Sequence, residues 1–546
     1  MAETKTICPF CLNGCTSGVD FNGYQYRMHY FPEAEVNRGR LCPRGNSASI
    51  VIDHPQRLSR PVLDGRDITW AEAEAMVKGW LAATRAEELA IVYSRGRAAD
   101  EVRRLHGLAE ELGTPHLACG HVEPENAFNH RLEGVKDATL ADVENSRATL
   151  LVGDVFNTSP VASWRMVEAR YADRKSRLVV VDSVRTRQSG FAQCFIRVKP
   201  GTEPFALVAL AALIDPKLCA GADVDKLAAA AGVTRAQLET AAAMLKPEVP
   251  GFVGSAMHTG RVFHPALHSL ASQLVALASK KPFTGFRETA LPYGPEDIGA
   301  VRSAAAEGRV RMLFWTGGLY PYSYTGLVPE LDKVEYRVAT AIFRPEPPVK
   351  GLVLPVTAEL ERASAGSSYW GKVERQPLAA PLSGSRPFSY VLGLFGRGAE
   401  KPEPVVKPVA AKALVESTAK AAGLDRAVGD GWLLMGEKKA IGLRGFFDAE
   451  DCALVNPADA VRLGVDDQGF VRVSTGTAAV DLRLHATDAA PRGCVVVGTN
   501  VHANRALFAP AVDPAGSGTT VPPQPCRVEK SDRIALMGGE NPSVWL

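Results

Sequence analysis

Three features of this 546-residue sequence predict an α/β protein with a small cysteine-rich domain at its start, helix-covered parallel sheets in its middle and a β-barrel-like domain at its end. Four of its ten cysteines, Cys8, Cys11, Cys15 and Cys42, fall within the first 42 residues. Strand-like apolar runs then alternate with amphipathic helical stretches as far as about residue 395. After Gly429 the texture changes to short β-rich runs separated by polar turns.

Bulk properties set the frame. At this length and 46% hydrophobic residues the chain can bury several cores, which implies three or four domains. Its 62 basic and 60 acidic residues nearly cancel, and no polybasic tail or nucleic-acid face stands out. No apolar run reaches the roughly 18 residues of a membrane span, so no transmembrane segment is expected. The opening MAETKTICPF shows neither a secretory nor a twin-arginine pattern, so the expected place is the cytoplasm, with membrane association only through a partner.

Residues 1–46 have little periodicity, so a metal rather than an apolar core must organise them. The spacing is C-x2-C-x3-C-x26-C, with Gly14 in the loop. Four thiolates suit tetrahedral zinc or a [4Fe–4S] cluster. Zinc sites usually come as two spaced pairs. Here three ligands crowd into eight residues, a loop able to wrap one face of a cuboidal cluster while Cys42 closes the other side. The cluster is the expectation. The six remaining cysteines are scattered singly, as buried small apolar residues are.

The segment PQRLSRP (55–61) reads as an extended connector. Strands are expected at 89–93, 149–152, 178–181, 252–254, 311–315 and 352–356, and helices at 71–81, 98–112 and 205–213. That alternation argues for open, doubly wound parallel sheets. Proline, charge and glycine replace periodicity over 396–408, marking a boundary, and a helix is expected at 409–421. Beyond it, runs at 470–474, 480–484 and 494–497 read as barrel strands.

The cysteine spacing, with LCPRG (41–45) and DHPQRL (53–58), resembles the N-terminal domain of the molybdopterin oxidoreductase superfamily, which includes formate dehydrogenases and formylmethanofuran dehydrogenase. Further segments extend the likeness: VGDVFNT (152–158), VVVDSVRT (179–186), VKPGTE (198–203), WTGG (315–318), LPVT (354–357), the run from Val455 to Val465, and NVHAN (500–504). The resemblance implies a [4Fe–4S] domain (1–55), two interleaved Rossmann-like α/β domains (56–135 with 295–395, and 136–294), a linker (396–428) and a dinucleotide-binding β-barrel (429–546). It also implies molybdenum or tungsten held by molybdopterin guanine dinucleotide, two copies lying across the two nucleotide-binding halves. Arg44 takes the place of the basic residue between cluster and pterin. Asn157, Asp182, Arg185, Gly317, Asn456 and Asn504 take cofactor-facing places. A carboxylate such as Asp182 at a strand end can accept from a guanine edge or a ribose hydroxyl.

The metal-ligand loop departs from the family pattern. Formate dehydrogenases place a cysteine or selenocysteine and then a histidine there. Aligned without a gap, Glu123 and Pro124 take those places; a slip of two to four residues offers Cys119 with His121 nearby. A thiolate is a soft donor suited to these metals, and an imidazole moves protons. A third reading is that no metal is held. The nearest counterpart of the family's formate-binding arginine is Arg287. Two classes of function follow: a formate dehydrogenase-like enzyme acting on a small substrate, and a non-catalytic electron-transfer or scaffold subunit. Both imply partners carrying ferredoxin-type clusters or flavin, because the chain shows no flavin or nicotinamide motif of its own.

Overall fold

The computed structural model describes residues 4–93, 99–120, 124–287, 298–317, 333–345, 348–402, 407–422, 431–437, 451–499, 502–509, 511–512 and 519–533. The chain forms two compact units: residues 1–122, 287–406 and 517–519, and residues 123–286, 407–516 and 520–546.

The first unit opens with an antiparallel sheet of Thr6–Ile7, Thr16–Phe21 and Tyr26–His29, followed by the short helices Pro43–Asn46 and Ile50–Asp53. Its small core consists of Met28, Ala48, Ile52 and Leu360, with the partly buried Phe10, Val19, Tyr26, Leu41, Leu378 and Ala379 packed against them. The connector read at 55–61 opens with a turn and leaves Pro55, Ser59 and Arg60 exposed, while Arg57, Leu58 and Pro61 are buried. The Arg57 Nη2 donates to both carboxylate oxygens of Glu361, at 2.8 and 2.9 Å.

This connector leads into a seven-stranded sheet in the order Arg66–Asp67, Val62–Leu63, Leu352–Pro355, Tyr336–Ala341, Met312–Thr316, Leu89–Tyr93, His116–Cys119. The last five of these run parallel. Leu89–Tyr93 is buried along its whole length, which explains its uninterrupted apolar sequence. The helix Trp70–Ala82 begins at a capping box between Thr69 and Glu72. Leu89–Tyr93 pairs on one side with the next strand in sequence and on the other with Met312–Thr316, so the chain order reverses there. Ligands of open α/β sheets bind at the carboxyl ends of such a switch point.

The second unit holds a five-stranded parallel sheet in the order Cys194–Arg197, Arg177–Asp182, Ala148–Val152, Val253–Ala256, Phe283–Phe286. Its switch point lies between Ala148–Val152 and Val253–Ala256. The helix Glu203–Ile214 is apolar nearly all round and is buried accordingly, packing with Pro265–Ala278. The helix Ala411–Ala422 adds Leu414 and Val415 to the same core. Six strands then close into a barrel, in the order Trp432–Glu437, Cys494–Gly498, Cys452–Val455, Ala479–Ala486, Phe470–Ser474, Gln524–Lys530. Closure removes the exposed edges that short strands would otherwise present.

The boundary over 396–408 is fastened at its start. The Glu111 carboxylate accepts from the backbone N–H groups of Arg397 and Gly398. Among the described residues no helix is long and apolar enough to cross a membrane.

Candidate functional site

In the first unit the cysteine loop is built by close backbone approaches. Cys8 N–H donates to the Cys15 carbonyl at 2.8 Å. Gly14 turns the loop at φ +76°, and a Cβ there would lie 3.0 Å from that of Ser368. Asn13 is buried; its Nδ2 donates to Cys15 Sγ at 3.0 Å, and its Oδ1 has no partner among the described residues. Cys42 caps the helix Pro43–Asn46, with proline in the first turn. Gly45 in that helix lies beside the loop: a Cβ there would be in ordinary contact with Cys8 Sγ, at 3.7 Å.

The electrostatics tie the four sulfurs together. Burial, and then the like charges of Cys11 and Cys42, push the Cys8 thiol up to about 12, while Arg44 pulls the other way. Burial, then Cys11 and Cys8, also raise Cys15 well above its ordinary value. Cys8 and Cys15, both buried, therefore ionise readily only where a bound cation supplies the compensating charge. Among the described residues no three metal-binding side chains converge on a single ion. Three cysteines crowded into one loop, with a single fourth from Cys42, are the ligand set that a cuboidal [4Fe–4S] cluster takes.

Cys119 ends the strand His116–Cys119, in register with Tyr93 and buried. Gly120 N–H donates to the Tyr93 carbonyl at 2.7 Å. A Cβ at Gly120 would lie 2.8 Å from the rings and methyls of Trp315 and Val92. Gly120, directly after Cys119, is thus pressed against the two strands of the switch point. On the Met312–Thr316 side, the Thr340 hydroxyl donates to the Gly317 carbonyl at 2.9 Å. Gly318, His121 and Glu123 lie outside the described residues. Arg287 is held at its backbone by Tyr369, whose hydroxyl accepts from Arg287 N–H at 3.0 Å and donates to the Arg287 carbonyl at 2.5 Å.

The second unit concentrates buried polar groups at its switch point. Gly153 adopts φ +67°, and a Cβ there would lie 2.1 Å from the Ala256 carbonyl oxygen; only glycine allows the crossing. Asp154 caps the turn that follows, and Asn157 Nδ2 donates to its carboxylate at 2.6 Å. Burial raises Asp154 to about 6. Asp182, at the end of the neighbouring strand, is buried against Arg261 Nη1 at 3.3 and 3.4 Å and accepts from Val184 N–H at 3.1 Å. Desolvation outweighs Arg261 and raises the Asp182 carboxyl. Glu203 goes further, to about 8, through burial and then the charge of Asp182.

Arg261 was not foreseen from the sequence. Its Nε donates to the Gly436 carbonyl of the first barrel strand at 2.7 Å. Gly436 N–H returns a bond to the Gly260 carbonyl at 3.0 Å. Glu203 Oε2 and Arg261 Nη2 have no partner among the described residues, although both side chains are almost fully buried. Unpaired buried polar atoms of this kind are costly and suit a site completed by a ligand. Sheet end and barrel together offer donors and acceptors for a nucleotide.

The other expected contacts are more scattered. The Arg185 side chain is 55% exposed, 3.7 Å from Asp488, and its N–H donates to the Ala489 carbonyl. Asn456 caps the helix Pro457–Leu463 by accepting from Ala458 N–H, and donates to the Ala490 carbonyl. Asn504 is buried and ties the Gly498 carbonyl at 3.2 Å.

With this geometry in hand, comparison with known proteins is informative. Residues 1–54 match the molybdopterin oxidoreductase Fe4S4 domain, and residues 437–521 match the molydopterin dinucleotide binding domain. Over 278 residues the chain is 22% identical to NADPH-Fe(3+) oxidoreductase subunit alpha of Geobacter sulfurreducens, covering 44% of this chain and 32% of that one. It is 23% identical over 214 residues to F420-dependent formate dehydrogenase subunit alpha of Methanocaldococcus jannaschii, covering 36% and 31%. The matched stretches thus span about a third of these relatives' lengths. Acetylene hydratase from Pelobacter acetylenicus shares the fold, with a TM-score of 0.75 at 14% identity over 97% of this chain and 100% of that chain. The resemblance seen in the motifs is borne out: the chain carries a [4Fe–4S] domain and a molybdopterin dinucleotide-binding domain on the fold of the molybdenum/tungsten oxidoreductases.

Proposed function

We propose that this chain, which its two matched domains place in the molybdopterin oxidoreductase superfamily, is the metal- and pterin-carrying subunit of a formate dehydrogenase-like enzyme. It oxidises or reduces a small carboxylate-type substrate in the cytoplasm and exchanges electrons, through one [4Fe–4S] cluster, with partner subunits bearing ferredoxin-type clusters or flavin. The observation that carries this reading is the position of Cys119. It is a buried thiol at the carboxyl end of a parallel strand, followed by Gly120 packed against the switch point, in the same compact unit as the four cluster cysteines.

Each residue then has a role that its chemistry allows. Cys8, Cys11, Cys15 and Cys42 hold the cluster, and Arg44 lowers the cost of negative charge beside it. Cys119 supplies a soft thiolate to molybdenum or tungsten. His121 moves the substrate proton and Arg287 binds the substrate carboxylate. In the second unit Asn157, Asp182, Arg185, Asn456 and Asn504, joined by Arg261, would hold pterin guanine dinucleotide; in the first unit Gly317 would do so. When bound, the metal–pterin group supplies two-electron redox chemistry; the chain binds, orients and delivers protons.

Metal analysis with pterin extraction tests this. Molybdenum or tungsten near one per chain, with guanine nucleotide, is expected. Cluster iron without either would favour the second reading, an electron-transfer or scaffold subunit, which the gap-free placement of Glu123 and Pro124 at the ligand positions supports.

A further inference from the structure

The hairpin Ser364–Ser368/Gly371–Arg375 stands against the cysteine loop, and Tyr369, the first of its two connecting residues, reaches from that loop to Arg287. Its register is complete, five paired positions from Ser364↔Arg375 to Ser368↔Gly371. Thr6 fixes its far end, donating to the Gln376 carbonyl at 2.8 Å and accepting from Gln376 N–H at 3.0 Å. At the tip, Tyr369 N–H donates to the carbonyl of Leu12, between two cluster cysteines, at 2.7 Å. Ser368 packs where a side chain on Gly14 would have to go.

The backbone of the hairpin is therefore secured without the Tyr369 phenol. That hydroxyl instead serves both backbone groups of Arg287, the residue at which the chain re-enters this unit. One hydroxyl acting as donor and acceptor to a single residue fixes both translation and peptide-plane orientation, as a strand partner would. We infer that Tyr369 is a positioning residue for Arg287, holding the arginine's backbone in a fixed relation to the cysteine loop so that a substrate carboxylate meets a preorganised guanidinium. This rests on the reading of Arg287 as the carboxylate-binding residue.

The consequence follows from the cost of looseness. A bidentate arginine clamp loses affinity when its anchor can shift by a fraction of an ångström. Removing the phenol oxygen leaves the ring in place, and the half-buried Arg287 backbone turns to water instead. Binding should weaken by roughly tenfold, the scale of one well-placed hydrogen bond.

The test uses the full-length chain purified with its cofactors, titrated with 13C-labelled formate by NMR, alongside Tyr369→Phe and Arg287→Ala. Hydrogen exchange of the peptide containing residue 287, iron content and the cluster's paramagnetic signal are followed in parallel. Tyr369→Phe should bind formate about tenfold more weakly and exchange the Arg287 amide faster, with iron and signal unchanged because the bond to Leu12 remains. Formate affinity equal to wild type in Tyr369→Phe, with loss in Arg287→Ala, overturns the positioning role alone. Binding absent from the wild type, or indifferent to Arg287→Ala, overturns the reading of Arg287 and the role of Tyr369 with it.

Discussion

Asp182 faces the Arg261 guanidinium at 3.3 Å with both side chains buried, and the same guanidinium donates to the Gly436 carbonyl. One arginine thus joins a sheet strand end to the barrel. Asp182→Asn leaves that buried cation without its counter-charge, which typically costs about 3 kcal/mol or more. The expected outcome is a lower unfolding midpoint and a reduced yield of GMP after acid hydrolysis. Cluster iron should be retained, because the cysteines belong to the other compact unit.

Glu203 predicts a pH dependence whose sign is fixed. Its carboxyl is raised to about 8 in the folded chain, chiefly by burial, against 4.5 as the ordinary value. Between these values the folded state binds a proton that the unfolded state does not. Its contribution to stability is therefore complete below about pH 4.5 and is lost as pH rises through about 8, with a slope of at most about 1.4 kcal/mol per pH unit. Urea midpoints measured from pH 5 to 9 should fall with rising pH, and Glu203→Gln should flatten that fall. An identical pH profile in the variant would remove Glu203 as the cause.

The cysteine loop makes a compositional prediction. Anaerobically purified protein should carry about four irons per chain and, when reduced, show the paramagnetic signal of one [4Fe–4S] centre. Cys42→Ala should abolish that signal, since a single thiolate closes its side of the cube. Stoichiometric zinc with negligible iron would refute the cluster assignment.

What was legible in the sequence, and what was not, follows from range. The strand Leu89–Tyr93 is apolar because it is buried on both faces, and its limits were readable at once. The cysteine spacing was readable because its chemistry is local, and so was the helix expected at 71–81, which runs from Trp70 to Ala82. Arg57 sat in a proline-flanked stretch that read as a connector; its partner Glu361 lies 304 positions away. Arg261 carries no local signal for the same reason: its partner Gly436 is 175 positions distant. Tyr369 carries no motif at all, only a hydroxyl that finds Arg287 across 82 positions. Periodicity reports what a residue does for its own element; these residues act between elements.

The ligand loop separates the two functional readings. If Cys119 holds the metal, Cys119→Ser replaces a soft thiolate by a much poorer donor. Turnover should then fall by several orders of magnitude and the metal's spectrum should change, while cluster iron survives. The substitution should cost little stability, since serine differs from cysteine by one atom, although burial of its hydroxyl adds about 1 kcal/mol or more if no partner is found. Glu123→Gln should be mild in that case. A carboxylate ligand reverses the pattern, with Glu123→Gln severe and Cys119→Ser mild. Metal content, metal spectra and dye-linked formate oxidation of both variants decide between them. If neither substitution changes metal content in protein that retains its pterin, the chain supplies no ligand from this loop, and the assignment of Cys119 falls.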